Sequence, residues 1–398
     1  MKRVLITGAT GFIGGRVAEV LTEQGIEVTA LVRSWATASR LARLPVRMVG
    51  GDVLDAESVR RAVDGCDVVV HCAVDFRAHG RAHRRASRVG TRNVMQAALE
   101  AGVSRVVHLS STAVFGLRPA AGRTLTEATP VRRVGDAYCD GKIEAERVAL
   151  EYHRVHGLPV TVLRPTIVYG PFGWYSAAVA RAAREGRLVL VDGAPGVCNC
   201  LYVDNLVQAI LLAATRPQAV GEIFHISDAK PVTWREYLER HARALGDSIL
   251  PLPEMTRAEL RAARNRLRRF ALRQLARSAV GNPLRVLRDP AIRQGLFSIP
   301  GVQWASDATK SAIRLLPGGA GNRIMAAIER AKAGQVVSGA GRADVRAYLS
   351  PAEERSFAAY ANVTFGIDKA RSLLGYEPAV SFDEGMELTT AWLRWAGI

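Results

Sequence analysis

No apolar run in the sequence reaches membrane-spanning length, and the N-terminus passes directly into a predicted strand, without the segments of a cleavable signal peptide. We therefore expect a cytoplasmic protein. Cysteine is also scarce, and five cysteines in 398 residues fit a reducing compartment rather than a disulfide framework. Cys198 and Cys200 stand close together, but no His/Cys cluster accompanies them, so we predict no metal site.

Acidic residues are outnumbered, with 37 Asp and Glu against 54 Lys and Arg, which gives a net charge of +17. The excess is uneven, because residues 251–346 hold 18 basic and 6 acidic residues. The rest of the chain is only mildly basic. No aromatic interleaving and no known nucleic-acid-binding module accompanies the charge, so we expect no nucleic acid partner.

A glycine-rich turn between a predicted strand and a predicted helix opens the chain, at residues 4–15. Gly8 suits a tight turn, Gly11 lets the backbone approach a pyrophosphate, and Gly14 lets the helix pack closely. The free N–H groups and partial positive charge of the helix N-terminus favour an anion there. The pattern predicts a dinucleotide site; a glycine-rich turn without a ligand is the alternative.

Four segments of the sequence resemble the extended short-chain dehydrogenase/reductase family. They are TGATGFIGG at 7–15, SSTAVFG at 110–116, YCDGKIEAE at 138–146 and RPTIVYGP at 164–171. The resemblance covers residues 1–245 and resumes at 360–398. It implies an enzyme with a nicotinamide cofactor, and a homodimer formed through two helices of each subunit.

The end of the second predicted strand, 26–32, indicates which cofactor binds, because this place meets the adenosine ribose. An acidic side chain there would hydrogen-bond the ribose hydroxyls and repel a 2′-phosphate, but the chain has Val32. Arg33 follows and can pair with a phosphate. We therefore predict NADP(H), with NAD(H) as the alternative, in which Arg33 points to solvent.

The family's catalytic residues match three positions of this chain. Lys142 lies four positions after Tyr138, which places both on one face of a helix. There the ammonium can lower the pKa of the phenol and hold the nicotinamide ribose. Tyr138 is then the general acid/base. The resemblance implies that Ser111, 27 residues earlier, orients the same substrate oxygen.

The resemblance also implies further contacts with the cofactor. Asp52 matches the residue that hydrogen-bonds the adenine amino group, and Ala73 matches the small residue that lets the nicotinamide end pass. The predicted cofactor-binding residues are Gly8, Thr10, Gly11, Phe12, Ile13, Gly14, Arg33, Asp52, Val53, Ala73, Lys142 and Pro165.

Three departures from related patterns bear on the substrate. Nucleotide-sugar epimerases resembling this chain carry Asn where Ile167 stands and Arg where Cys198 stands, both facing the nucleotide diphosphate. The sugar 4,6-dehydratases place Asp-Glu after the catalytic hydroxyl, where this chain has Thr112-Ala113. The groups that bind a nucleotide diphosphate or eliminate water are thus missing.

We therefore predict hydride transfer between NAD(P) and an alcohol or carbonyl of a small non-nucleotide substrate, sterol-like or lipid-linked, similar to the hydroxysteroid-dehydrogenase and dihydroflavonol-reductase branches. A nucleotide-sugar epimerase or reductase is the alternative. A cofactor-bound protein without turnover is a third hypothesis, against which the intact Ser111, Tyr138 and Lys142 argue.

A long basic insertion, residues 251–350, interrupts the resemblance. Its core, 257–293, has 11 arginines and a helical spacing of apolar residues, which predicts a basic amphipathic helix. Its stretch 257–277 suits an anionic membrane surface, with a solvated lid over the active site as the alternative. The apolar residues of this spacing are Leu260, Ala263, Leu267, Phe270, Ala271 and Leu275.

The predicted fold is α/β, a Rossmann-type, doubly wound and mostly parallel sheet with a smaller C-terminal substrate region. Residues 1–245 would bind the cofactor, with substrate-loop elements around 165–200, and residues 246–398 would form the substrate region. His71, His79 and His83 lack carboxylate partners at ligand spacing, so we assign them to surface and loop.

Overall fold

Seven parallel strands form the central sheet. The computed structural model describes residues 1–74, 80–116, 122–228, 230–246, 251–278 and 363–398. In chain order the strands are β1 (Arg3–Thr7), β2 (Glu27–Val32), β3 (Val46–Gly50), β4 (Val68–His71), β5 (Arg105–Leu109), β6 (Val160–Pro165) and β7 (Ile223–Ile226). Their order across the sheet is β7-β6-β5-β4-β1-β2-β3, which confirms the doubly wound prediction.

Helices connect these strands and flank the sheet. They are α1 (Phe12–Glu23), α2 (Ala56–Val63), α3 (Gly80–Glu100), α4 (Ala137–His156), α5 (Trp174–Arg184), α6 (Val203–Thr215), α7 (Trp234–Arg243), α8 (Arg257–Ser278) and α9 (Phe382–Trp395). Short helical turns lie at Trp35–Thr37, Leu41–Arg43, Thr112–Phe115, Pro217–Ala219 and Ala370–Leu374. Two-stranded pairings join Ile167–Tyr169 with Cys200–Tyr202, Arg123–Leu125 with Val363–Phe365, Val197–Cys198 with Val232–Thr233, and Leu190–Val191 with Glu254–Met255.

The sheet is buried on both faces, as the apolar strands of a parallel sheet require. Along β1, Val4 and Ile6 join the core cluster that includes Val17 of α1, whereas Leu5 joins the cluster that includes Met95 of α3. Side chains thus alternate between two apolar layers. The strand order reverses between β1 and β4, and a crevice opens at the carboxyl ends of strands at such a point. The ligand site is therefore expected at that edge.

The helix α3 is longer than the amphipathic helix that the sequence predicts from Gly90 to Ala101. It begins at Gly80, so the Arg- and His-rich residues 80–88 are helical. His83 on this helix is 4% exposed and lies against Gly141 of α4, and His71 at the end of β4 is 3% exposed. The assignment of both histidines to surface and loop is wrong, because packing between elements buries them; His79 lies outside the described residues.

The described residues form two compact units. The first contains Met1–Arg184, Ala194–Pro251 and residues 363–398, and the second contains Glu185–Gly193 and residues 252–278. The C-terminal residues therefore pack with the unit that holds the central sheet. The functional division between a cofactor region, 1–245, and a substrate region, 246–398, remains a prediction.

Helix α8, in the second unit, forms where the basic amphipathic helix was predicted. Leu260, one of the apolar residues of this helix, is fully buried. The prediction that it contacts lipid is therefore wrong. The side chains of Leu267 and Phe270 lie outside the described part of the chain, as does the remainder of the insertion from residue 279. Within the described residues, no helix combines the length and the hydropathy that crossing a membrane demands.

Candidate active site

The glycine turn after β1 is shaped so that two of its positions admit only glycine. Gly8 has a φ of +75°, and a Cβ there would lie 2.9 Å from the backbone of Ala73. A Cβ on Gly14 would lie 2.4 Å from the carbonyl oxygen of Gly8. Gly11 caps α1 without a side-chain hydrogen bond, and the first turn of α1 has no acidic residue. The N-terminus of α1 thus has neither a side-chain cap nor an acidic residue beside it, which suits the predicted binding of an anion there.

Three other predicted cofactor-binding residues belong to this turn and to the first turn of α1. Thr10, Phe12 and Ile13 are all partly buried. The carbonyl oxygen of Phe12 accepts a hydrogen bond from Nη1 of Arg40, at 3.3 Å. Nε of Arg40 donates to Glu19 at 2.6 Å, so this arginine is already occupied within the protein.

Two charged residues lie at the ends of β2 and β3. Arg33 has a side chain that is 46% exposed, and its Nη1 is 3.9 Å from Oδ2 of Asp52. Oδ1 of Asp52 accepts a hydrogen bond from the backbone N–H of Leu54. The carbonyl oxygen of Val53 accepts one from Asn93 of α3 at 2.9 Å. The structure therefore brings Arg33 and Asp52 together at the sheet edge where the adenosine end was predicted.

Ser111, Tyr138 and Lys142 meet at the carboxyl end of β5. Ser111 caps the turn Thr112–Phe115, and its hydroxyl oxygen accepts a hydrogen bond from the N–H of Ala113. The same hydroxyl is hydrogen-bonded to the phenol of Tyr138. Asp136 is the N-cap of α4, and its carboxylate accepts a hydrogen bond from the N–H of Tyr138, which fixes the start of the helix. Nζ of Lys142, one turn later, donates to the carbonyl oxygen of Leu109 at 2.6 Å.

Burial sets the charge states of these groups. Desolvation raises the pKa of Tyr138, and the hydrogen bond from Ser111 opposes this rise. Burial also lowers the pKa of Lys142 to about 8, while the neighbouring Cys72 and Glu146 act in the opposite direction. The expectation that the ammonium lowers the pKa of the phenol is therefore not met, because desolvation dominates and Lys142 is directed at a main-chain carbonyl.

The remaining predicted residues line the same edge of the sheet. The N–H of Ala73 lies 3.4 Å from Oγ1 of Thr7, just before the glycine turn. Pro165 ends β6, and its carbonyl oxygen accepts a hydrogen bond from Thr112. Cys198 is fully buried, so it presents nothing to a substrate. Among the residues that the structure describes, no three His, Cys, Asp or Glu side chains are grouped to hold a metal ion.

Sequence reasoning missed a buried layer beneath these residues. His71 at the end of β4 contacts Oγ1 of Thr7 at 2.7 Å and Oγ1 of Thr91 at 3.1 Å. The His108 ring of β5 lies 5.2 Å from the His71 ring. Burial lowers the pKa of His71 to about 3 and that of His108 well below its ordinary value, so both are neutral. Their positions at the ends of adjacent strands are the only signal in the sequence.

Comparisons with known proteins agree with this geometry. The NAD dependent epimerase/dehydratase family model matches residues 4–227. A 4-hydroxy-2-methyl-3-oxo-4-farnesyl-3,4-dihydroquinoline-1-oxide ketoreductase of Stigmatella aurantiaca is 32% identical over 243 residues, 59% of this chain and 71% of that protein. A 3 beta-hydroxysteroid dehydrogenase/Delta 5→4-isomerase of Mycobacterium tuberculosis is 31% identical over 268 residues, 62% of this chain and 70% of that protein.

A solved structure shares the fold. The dTDP-glucose 4,6-dehydratase of Streptomyces venezuelae, solved with NAD bound, has a TM-score of 0.63 at 22% identity and covers 99% of this chain and 97% of its own. The family match spans more than half of the chain, and the two curated relatives are named as a reductase and a dehydrogenase. The chain therefore belongs to the NAD dependent epimerase/dehydratase family and is an NAD(P)-dependent oxidoreductase of the extended short-chain type.

Proposed function

We propose that this enzyme uses NADP(H) to interconvert an alcohol and a carbonyl on a small non-nucleotide substrate. The observation that carries the proposal is the meeting of Ser111, Tyr138 and Lys142 at the strand ends beside the glycine turn. Hydride transfer to a carbonyl needs a proton for the oxygen, and a phenol held by a hydroxyl can supply it.

The residues of the turn fit a dinucleotide. At Gly8 and Gly14, the protein's own backbone lies where a Cβ would be, and this close packing keeps the turn tight. The N-terminus of α1, which has no side-chain cap, offers N–H groups to the diphosphate. Asp52 would hold the adenine, and Ala73 and Pro165 would border the nicotinamide. When bound, the cofactor supplies the hydride donor or acceptor.

Each catalytic candidate has one role in this proposal. Ser111 donates a hydrogen bond to the substrate oxygen and fixes its position. Tyr138 gives that oxygen a proton in reduction or takes one in oxidation. Lys142 holds the nicotinamide ribose with its ammonium.

Arg33 favours NADP(H) over NAD(H). It follows β2 directly, its side chain is half exposed, and its contact with Asp52 is a long 3.9 Å. A weak exposed pair of this kind is readily exchanged for a phosphate, which accepts two hydrogen bonds from a guanidinium. NAD(H) is the alternative.

A non-nucleotide substrate is supported by the departures at Ile167 and Cys198 and by the relatives. Neither side chain supplies an amide or a positive charge to a diphosphate, and Cys198 is buried. The Stigmatella relative is named for a farnesylated ketone and the Mycobacterium relative for a steroid. A nucleotide-sugar epimerase or reductase is the second candidate, because the family model includes epimerases.

A substrate panel tests this proposal. The purified enzyme is incubated with NADPH or NADP+, and in parallel with NADH or NAD+, together with a farnesylated cyclic ketone, a 3β-hydroxysteroid or UDP-glucose. Cofactor absorbance and products are followed. Turnover of the ketone or the steroid with a preference for the phosphorylated cofactor supports it. Turnover of UDP-glucose alone would transfer support to the sugar-nucleotide candidate.

We also propose that the protein is cytoplasmic and lies peripherally at an anionic membrane. Arginines of α8 would meet lipid headgroups at about 1 kcal/mol each near the surface. Leu272 of this helix is 50% exposed and available for the apolar contact that buried Leu260 cannot make. Binding to anionic but not neutral vesicles, lost in Leu272→Glu, would support it; no binding to either would favour the lid. A homodimer through two helices of each subunit also remains a proposal.

A further inference from the structure

A buried carboxylate lies one helical turn beyond Lys142. Glu146 of α4 is 4% exposed, and its Oε2 accepts hydrogen bonds from Oγ of Ser110 at 2.8 Å and from Nε of Arg164 at 3.0 Å. A second hydrogen bond joins Nη2 of Arg164 to Oε1. Ser110 and Arg164 are each 3% exposed. The carboxylate is therefore buried and held on both oxygens.

The partners of Glu146 come from the elements that carry the proposed active site. Ser110 directly precedes Ser111 at the end of β5, and Arg164 directly precedes the end of β6 at Pro165. Lys142 and Glu146 are four residues apart on α4, so their side chains share one face of the helix. The hydrogen bonds thus fix the negative charge on the face that Lys142 occupies.

The groups around Lys142 differ in charge. His71 and Cys72 face it from the end of β4, His108 faces it from β5, and Glu146 faces it from its own helix. Burial keeps both histidines neutral and raises the pKa of the Cys72 thiol to about 12. Of these four groups, only Glu146 is a carboxylate, and it forms an ion pair with Arg164. It opposes the desolvation that drives Lys142 toward its uncharged form.

We propose that Glu146 is a positioning residue for the reaction proposed above, and that its carboxylate, locked by Ser110 and Arg164, keeps Lys142 charged. The alternative is that Glu146 only neutralises Arg164 and holds the fold together. Removing one partner of a buried ion pair is strongly destabilising in either case, so stability does not distinguish the two. The charge state of Lys142 does.

Direct titration of Lys142 distinguishes them without a substrate. The chain has few lysines, so selective 13C labelling gives a readable spectrum, and Lys142→Arg assigns the signal; the others are Lys2, Lys230, Lys310, Lys332 and Lys369. The wild-type signal should titrate near pH 8. In Glu146→Gln the midpoint should fall by about one pH unit or more, as expected when an adjacent opposite charge is removed.

Glu144→Gln is the matched control. Glu144 lies on the same helix, and its side chain is 17% exposed and pairs with Arg133 at 3.2 Å. This variant should leave the midpoint of Lys142 unchanged. If Glu146→Gln does not fold, Glu146→Gln combined with Arg164→Met removes both buried charges and is titrated instead. The midpoint should still fall, but by less, because the loss of the positive charge of Arg164 opposes part of the shift.

An unchanged Lys142 midpoint in a folded variant lacking the Glu146 carboxylate would overturn the proposal. Failure of the proposed function would be seen separately, as absence of turnover with every substrate of the panel. Where a substrate turns over, the alkaline limb of its kcat/KM profile should move to lower pH by the same amount in Glu146→Gln and should stay in place in Glu144→Gln.

Discussion

Replacing Arg33 by Ala should separate the two nicotinamide cofactors. The Arg33 side chain is 46% exposed and its contact with Asp52 is 3.9 Å, so its loss costs the fold only about 0–1 kcal/mol. A charged hydrogen bond to a 2′-phosphate contributes about 1.5–3 kcal/mol, so Arg33→Ala should weaken NADPH binding about 10- to 150-fold. NADH has an uncharged 2′-hydroxyl in place of the 2′-phosphate, so its affinity should stay nearly the same.

Equilibrium fluorescence titration of both cofactors measures this difference. Arg43→Ala is the matched control, because it removes the same charge from an exposed position on the turn Leu41–Arg43. It should leave the NADPH affinity unchanged at moderate salt. Equal affinity of the wild type for NADPH and NADH, or an equal loss of both in Arg33→Ala, would refute the assignment of Arg33 to the 2′-phosphate.

Two further predictions concern the turn and the lysine. Gly14→Ala puts a Cβ 2.4 Å from the Gly8 carbonyl oxygen. This substitution should lower the free energy of unfolding by about 1–3 kcal/mol, measured by thermal unfolding, and abolish cofactor binding. Gly366→Ala is the control and should be tolerated, because the atom nearest to its Cβ would be 3.6 Å away. The kcat/KM should fall above about pH 8, because Lys142 loses its proton there. In Lys142→Arg this alkaline limb should move to higher pH, since a guanidinium stays protonated, and an unmoved limb would assign it to another group.

Local sequence patterns were sufficient to predict several strands, turns and helices. The apolar run before Gly8 and the helical spacing after it predict β1, the turn and α1, because a strand buried on both faces needs continuous apolar residues. Thr233 and Glu236 predict the start of α7, and the structure has the capping box. Tyr138 and Lys142 share a helix because four residues fit one turn.

Contacts between residues far apart in the sequence could not be predicted from such local patterns. Residues 80–88 are polar enough to suggest a loop, but the burial of His83 beside Gly141, 58 residues away, makes them helical. The pairing of Glu146 with Arg164 depends on how α4 lies against β6. The direction of Lys142 depends on the carbonyl oxygen that β5 presents at Leu109. Tertiary packing decides each of these, and no local spacing encodes it.

The central claim is that Tyr138 transfers the proton in an NADP(H)-dependent reaction. The most direct measurement compares Tyr138→Phe with the wild type on whichever substrate of the panel turns over, with NADPH affinity measured on the same preparations. Turnover should fall about 10²- to 10⁴-fold, the usual share of general acid/base catalysis, while NADPH affinity stays nearly unchanged. Comparable turnover in the folded, cofactor-binding variant would contradict the account.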